Sequence, residues 1–172
     1  EEGVHDMEAR VHAICATHGL DVAAVSEILL LWNGRDLRFR LLGRDNVAAV
    51  ADIQELARAA KAHAIDVISL DPLVSLHHAN ENDNTAMGDV IDAAQALSRL
   101  SNTALWLSHH AGKGSRAVGS ADAARGASAI ITSVRIAHTL FPADETDAAL
   151  YGLGADYRAR YARLDDAKMS HG

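Results

Sequence analysis

The sequence predicts an α/β fold in which helices flank a mostly parallel sheet. Residues 67–72 and 103–108 are short apolar runs typical of buried strands, and between them Met87, Val90 and Leu97 recur at helical spacing. Apolar strands that alternate with helices indicate a parallel sheet, because the connecting helices cover both of its faces. The chain has 172 residues, of which 49% are apolar, and we therefore expect one domain over 1–172.

The other elements are predicted by local patterns along the chain. Apolar residues at helical spacing predict a helix over 6–18 and another that Asp45 or Asn46 would cap. Asn33 and Gly34 lie between two apolar runs, which is a strong hairpin signal. The remaining expectations are hairpin strands at 28–32 and 36–42, an extended segment at 129–140, a helix at 144–153 and an edge strand at 157–164.

Composition limits the classes of function. The formal net charge of -7 argues against general attraction to nucleic acid, although a local basic loop can still contact phosphates. No apolar run approaches the roughly 20 residues that a membrane-spanning helix needs, so we expect a soluble protein without a membrane partner. The single cysteine, Cys15, cannot form an internal disulfide, which fits a reducing, cytoplasmic location.

Polar side chains end the two predicted buried strands. In open α/β sheets ligands bind at the carboxyl ends of the strands. Asp71 ends the first strand, where a carboxylate can orient a Mg²⁺-bound water, although many strands end in an aspartate that only forms a turn. His109 and His110 end the next strand, and such imidazoles can sense a phosphate, ligate a metal or transfer a proton. The same pattern also describes two solvated loop histidines.

Two further patterns suggest different ligands. Lys113, Arg116 and Arg125 lie in or beside a segment rich in glycine, serine and alanine, and spaced cations on such a loop suit a nucleic-acid backbone as well as they suit plain solvent exposure. Paired histidines with an aspartate can also bind Zn²⁺. A metal-dependent hydrolase is therefore a separate hypothesis, and its candidate ligands are His77, His78, His109, His110 and Asp71.

Four stretches, in this order, carry a resemblance to a known family. They are DPLVSLHHANENDNTAM, ALWLSHHAGK, ARGASAIITSVRIAHTL and RLDDAK. Together they resemble the RecA-like core of the RepA-type hexameric helicases of plasmids and their phage relatives, and more distantly the RecA recombinase and DnaB-like helicase cores. The resemblance implies a RecA-like P-loop NTPase core with C-terminal antiparallel strands, ATP and Mg²⁺ as cofactors, a hexameric ring of identical subunits, and single-stranded DNA as a partner in replication.

The resemblance also implies roles for the residues at the strand ends. Glu1 would be the general base that activates the attacking water, with Glu2 as the alternative. Asp71 matches the Walker B aspartate. His109, with His110 beside it, takes the place of the polar residue that senses the γ-phosphate. We therefore expect Glu1, Asp71 and His109 to bind the nucleotide at the carboxyl ends of adjacent parallel strands.

Two cations beyond these strands resemble residues that act on a neighbouring subunit. Arg135 lies where family members place an arginine that contacts the neighbour's nucleotide, and Lys168 resembles the lysine of a terminal finger that reaches the same phosphates. An arginine in a strand can equally be a structural residue paired with an acidic neighbour. Residues 111–124, which include Lys113 and Arg116, and residues 80–84 correspond to loops that face the pore, where DNA passes.

The sequence departs from the family in one respect, because it contains no G-x-x-x-x-G-K-[ST] phosphate-binding loop. We expect this Walker A loop to lie upstream of Glu1, so that the chain is an N-terminally truncated core that is inactive alone. The alternative is a RecA-like module that binds DNA or a partner without hydrolysis.

Overall fold

The computed structural model describes residues 3–33, 39–45, 47–110 and 128–169, with the side chains of residues 128 and 129 excepted. The chain divides into two compact units, Glu1–Phe39 and Arg40–Gly172. The prediction of one domain over 1–172 stays a prediction. No helix in the described part of the chain is long and apolar enough to cross a membrane.

The first unit contains two helices, α1 (Val4–His18) and α2 (Val22–Ile28). The helix predicted over 6–18 is confirmed by α1. This helix ends at Gly19, whose φ of 65° lies in the left-handed region that favours glycine. The Asp21 side chain then caps α2 by accepting a hydrogen bond from the backbone N–H of Ala23 at 3.0 Å.

The second unit is built around two helices, α3 (Val50–Ala62) and α4 (Asn84–Ser101), which pack against each other. The Asp83 carboxylate caps α4 by accepting hydrogen bonds from the backbone N–H groups of Thr85 and Ala86 at 2.8 and 3.3 Å. Helical spacing gives each helix one buried apolar face. The buried residues are Ile53, Leu56, Ala57 and Ala60 on α3 and Ala86, Met87, Val90, Ile91, Ala93, Ala94 and Leu97 on α4.

The helix α4 connects two parallel strands, β1 (Val67–Leu70) and β2 (Ala104–Leu107). Their register runs from Val67 opposite Ala104 to Leu70 opposite Leu107. A strand, a helix and a parallel strand form the unit that the alternating pattern predicts. The predicted parallel pairing is confirmed for these two strands, while the larger RecA-like sheet stays a prediction.

The C-terminal part forms a second, antiparallel pair. It consists of α5 (Ser128–Ser133), β3 (Ile136–Pro142), α6 (Glu145–Tyr151), α7 (Tyr157–Arg160) and β4 (Ala162–Met169). Strands β3 and β4 pair antiparallel, as the resemblance implies. Beside them, the Arg163 guanidinium donates hydrogen bonds to Asp165 at 2.9 Å and to Asp147 at 3.3 Å. The contact with Asp147 joins the strand β4 to the helix α6, while Asp165 lies in β4 itself.

Two predictions near the first unit are wrong. Residues 28–32 form no strand, because the Asp21 cap starts a helix that continues to Ile28, and residues 29–33 are irregular. The predicted partner strand at 36–42 and the Asn33-Gly34 turn fall partly on 34–38, outside the described residues. In the described remainder only an isolated bridge joins Leu42 to Ala48. That bridge closes across a turn at Arg44 and Asp45, so α3 begins only at Val50 after Ala49 and Asp45 does not cap it, while Asn46 lies outside the described residues.

Two predictions for the C-terminal part are each correct for only part of the predicted segment. Of the segment 129–140, the first part is the helix α5, and only Ile136 onward is extended. Of the segment 157–164, the first four residues form α7, and the strand starts at Ala162. Short apolar runs satisfy helical and extended patterns equally well, which explains both errors. The helix predicted at 144–153 is confirmed by α6.

Candidate functional site

Asp71 follows the last residue of β1 and is held beside the end of β2 by the backbone. The N–H of Ser108 donates a hydrogen bond to the carbonyl of Leu70 at 3.0 Å, and the N–H of Leu73 donates one to the carbonyl of Ser108 at 2.8 Å. The Asp71–Pro72 peptide bond is cis. Because backbone hydrogen bonds flank Asp71 on both sides, its backbone is held at the carboxyl end of the parallel pair.

The Asp71 side chain is exposed and has no hydrogen-bond or ion-pair partner among the residues that the structure describes. Asp71 and the half-buried His109 follow adjacent parallel strands, whereas His110 is exposed. An exposed carboxylate at such a strand end fits the task of holding a Mg²⁺-bound water, since oxygen is the ligand that Mg²⁺ prefers. The Asp71–His109 arrangement therefore fits a Mg²⁺-nucleotide.

His109 also belongs to a buried cluster that includes Glu81 and His77. The Nδ1 atom of His109 lies 3.8 Å from Oε1 of Glu81, and the two side chains are 14% and 39% exposed. These two atoms are buried without a hydrogen-bond partner in the described part of the chain, and so are both ring nitrogens of His77, which is 5% exposed. Buried polar atoms without partners are costly, so a cluster of four marks this edge of the sheet as unusual.

Burial lowers the pKa of His77 below its ordinary value of 6.5, because the charged imidazolium loses solvation, while the carboxylate of Glu81 opposes this shift. Near pH 7 His77 is therefore a neutral ring. Its neutral form leaves the negative charge of Glu81 without compensation from this histidine.

The lowered pKa of His77 predicts a pH dependence of stability. Above pH 6.5 the ring is neutral in both folded and unfolded chains, and its contribution to stability is fully present. As the pH falls below 6.5, the unfolded chain binds a proton first, so the free energy of unfolding decreases until the folded-state pKa is passed. We expect His77→Gln to reduce this decrease, as measured by urea unfolding at pH 7.5 and 5.5. His78→Gln, which changes the adjacent exposed histidine, should leave the decrease unaltered; equal slopes in both variants would contradict the assignment.

The structure brings Arg135 and Lys168 to the same end of the β3–β4 pair. Arg135 immediately precedes β3, whose second residue, Ala137, pairs with Lys168. Arg135 is exposed, and its guanidinium has no partner among the described residues, so the alternative of an acidic structural neighbour finds no support there. Lys168 instead donates a hydrogen bond to the backbone carbonyl of Thr132 at 2.6 Å. Arg135 is therefore the better placed of the two cations to meet another molecule.

Other predicted site residues lie outside the described residues. These are Glu1, Glu2, Lys113, Arg116 and Arg125. Within the described ranges, no group of three or more His, Cys, Asp or Glu side chains could hold a metal ion. The hypothesis of a histidine-based metal hydrolase accordingly gains no support from His77, His78, His109, His110 and Asp71. A shallow groove between α3 and α4, lined by Ile53, Ala93 and Leu100 among others, contains none of the predicted site residues.

Sequence reasoning missed the contribution of Glu81. The resemblance assigns residues 80–84 only to a loop that faces the pore, and no spacing rule connects residue 81 with residue 109. The available signal was an acidic side chain three residues after a pair of histidines, HHANE, in a loop that leaves the carboxyl end of a strand. Only the folded path of this loop brings Glu81 to His109.

Comparison with known protein families gives a match. Residues 1–116, which include both strands of the parallel pair and the strand-end residues Asp71 and His109, match the family described as AAA domain. The match covers more than half of the chain. The chain therefore belongs to the AAA domain family, and this membership indicates a P-loop type domain with nucleotide-dependent ATPase activity.

Proposed function

We propose that the protein is a subunit of an ATP-dependent DNA helicase or translocase, in which ATP hydrolysis moves single-stranded DNA during replication. One observation carries the nucleotide part of the proposal: an aspartate that has no partner among the described residues and a half-buried histidine follow adjacent parallel strands. Membership of the AAA domain family supports the same chemistry. The RepA-type resemblance of the four sequence stretches supports the helicase part, a cytoplasmic location and the hexameric ring.

In this proposal each residue has a defined task. Asp71 holds a Mg²⁺-bound water, and His109, with His110 beside it, senses the γ-phosphate. Bound Mg²⁺ neutralises charge on the phosphates during transfer. Glu1 acts as general base, and Lys113, Arg116 and Arg125 contact the DNA backbone. The sequence contains no Walker A loop, the element that supplies most of the phosphate contacts in P-loop ATPases.

The surface near Arg135 supports assembly into a ring. Ile136, Leu140 and Leu164 are 55%, 66% and 62% exposed and lie on one face of the β3–β4 pair, because alternate residues of a strand share a face. Exposed apolar side chains on one face, here with the ion pair of His138 and Asp166 between them, are typical of a protein interface. A second copy of the chain that covers this face would bring its nucleotide close to Arg135. Lys168 would reach the same phosphates after releasing the carbonyl of Thr132.

The test of the proposal uses the full-length protein and measures phosphate release from Mg²⁺-ATP with and without single-stranded DNA. We expect hydrolysis that DNA stimulates, together with unwinding of a forked duplex that carries a fluorescent strand. Residues 1–172 alone should bind ATP weakly in calorimetry, since they lack the loop that supplies most phosphate contacts. Absence of hydrolysis in the full-length protein would refute the ATPase. Hydrolysis that DNA does not affect would refute the translocase.

A further inference from the structure

The side chains of Glu81 and His109 lie only slightly too far apart to form a hydrogen bond. Nitrogen and oxygen atoms that share a hydrogen bond are separated by about 2.7–3.2 Å, whereas Nδ1 of His109 and Oε1 of Glu81 are 3.8 Å apart. Both atoms are buried and have no other partner in the described residues. A shift of less than about 1 Å would satisfy both of them and remove the cost of two unpaired buried polar atoms.

We propose that Glu81 is a positioning residue that orients His109 for γ-phosphate sensing. When the pair closes, the Nδ1–H of His109 donates to the Glu81 carboxylate, and Nε2 is left free to take up from solvent the second proton, which the imidazolium then donates to a phosphate oxygen. A carboxylate partner fixes both the tautomer and the plane of an imidazole. This inference rests on the proposed ATPase function, and it assigns to the loop after β1 a task in nucleotide recognition.

The remainder of the cluster leaves His109 as the nearest partner for Glu81. His77 is the other histidine that acts electrostatically on this carboxylate, and burial keeps its ring neutral near pH 7. A neutral His77 does not compete with His109 as a cation for this carboxylate, so the contact with Glu81 falls to His109.

The backbone around Glu81 restrains its position from both sides. The side-chain oxygen of Asn80 accepts a hydrogen bond from the N–H of Asn82 at 3.0 Å, and the N–H of Asp83 donates to the carbonyl of Asn80 at 2.9 Å. Asp83 in turn caps α4. A tight turn anchored on a helix end therefore presents Glu81 to His109, so a displacement of this turn would be transmitted to the sensing histidine.

The first experiment measures affinity for ATP and for ADP in the full-length protein by competition with a fluorescent nucleotide. We expect His109→Gln to reduce the ratio of ATP to ADP affinity, and Glu81→Gln to reduce the same ratio and the hydrolysis rate by about 10- to 100-fold, the range found when a partner that orients a histidine is removed. In the double variant the second substitution should add little, because Glu81 acts through His109. Glu55→Gln, on the exposed side of α3, is the matched control and should change neither quantity.

A second experiment separates this inference from the proposed function, because it does not depend on ATP. In the 172-residue chain labelled with ¹⁵N-histidine, NMR should show His109 mainly as the Nδ1–H tautomer, and Glu81→Gln should shift this tautomer population while Glu55→Gln does not. An unchanged tautomer, or additive effects of Glu81→Gln and His109→Gln on the affinity ratio, would overturn the positioning role. Failure of the wild-type protein to bind ATP would refute the proposed function, and an unshifted tautomer would still refute the contact.

Discussion

Asp71→Asn should lower Mg²⁺-dependent ATP hydrolysis by about a hundredfold or more in the full-length protein. A metal ion at a transferring phosphate supplies several kcal/mol of transition-state stabilisation, and about 1.4 kcal/mol corresponds to a tenfold change in rate. The neutral amide cannot attract a Mg²⁺-bound water as the carboxylate does. The rate should therefore fall, and the Mg²⁺ concentration for half-maximal activity should rise. Both are measured by phosphate release over a Mg²⁺ titration.

The matched control for this prediction lies on the same strand. Asp66 immediately precedes β1 and is exposed, so Asp66→Asn removes the same charge at the opposite end of the strand. This control should retain the wild-type rate and Mg²⁺ dependence. If the two variants behave alike, the carboxyl end of β1 is not the Mg²⁺ site, and the nucleotide must bind elsewhere.

The parts of the fold that the sequence predicts well are those with long or strongly buried patterns. The helix α4 has apolar residues at helical spacing over 18 residues, and β1 and β2 are the apolar runs on either side of it. These elements have few structural alternatives. Since the carboxyl ends of parallel strands meet at one edge, the neighbouring positions of Asp71 and His109 follow from the same pattern.

The parts that the sequence does not predict depend on local competition. The run at 28–32 is apolar enough for a strand, but the Asp21 cap extends a helix into it. Asp45 could cap a helix, but the bridge from Leu42 to Ala48 delays the start of α3. The contact between Glu81 and His109 depends on a turn whose path no periodicity encodes. Such features require the folded chain.

The described surface distinguishes Arg135 from another exposed arginine, Arg99. Arg135 lies next to the apolar face formed by Ile136, Leu140 and Leu164, whereas Arg99 lies in the last turn of α4. A guanidinium beside an interface can act on a neighbour's phosphates, while one on an isolated helix surface cannot. Arg99→Ala is therefore the control for loss of one exposed guanidinium.

Arg135→Ala should leave ATP binding nearly intact and lower hydrolysis by roughly 10³- to 10⁵-fold, the effect of an arginine finger in other phosphoryl-transfer enzymes. The guanidinium stabilises charge that develops on the transferring phosphoryl group, so its loss affects the transition state more than the bound nucleotide. The measurements are nucleotide affinity by fluorescence and hydrolysis by phosphate release. Arg99→Ala should alter neither of them.

Mixing Arg135→Ala with Asp71→Asn tests whether the arginine acts between subunits. In a mixed ring, some interfaces join an intact Asp71 site on one subunit to an intact Arg135 on the next, and these interfaces should hydrolyse ATP. The mixture should therefore exceed the activity of either variant alone, with a maximum near equal amounts. Mixing Asp71→Asn with wild type is the control, because it shows how subunit exchange with one defective subunit changes the activity. Fluorescence energy transfer between labelled variants shows whether the rings exchange subunits. If they do and activity is still not restored, Arg135 acts within its own subunit or only supports the fold. A residue that reaches across an interface must instead complement a defect on the opposite side.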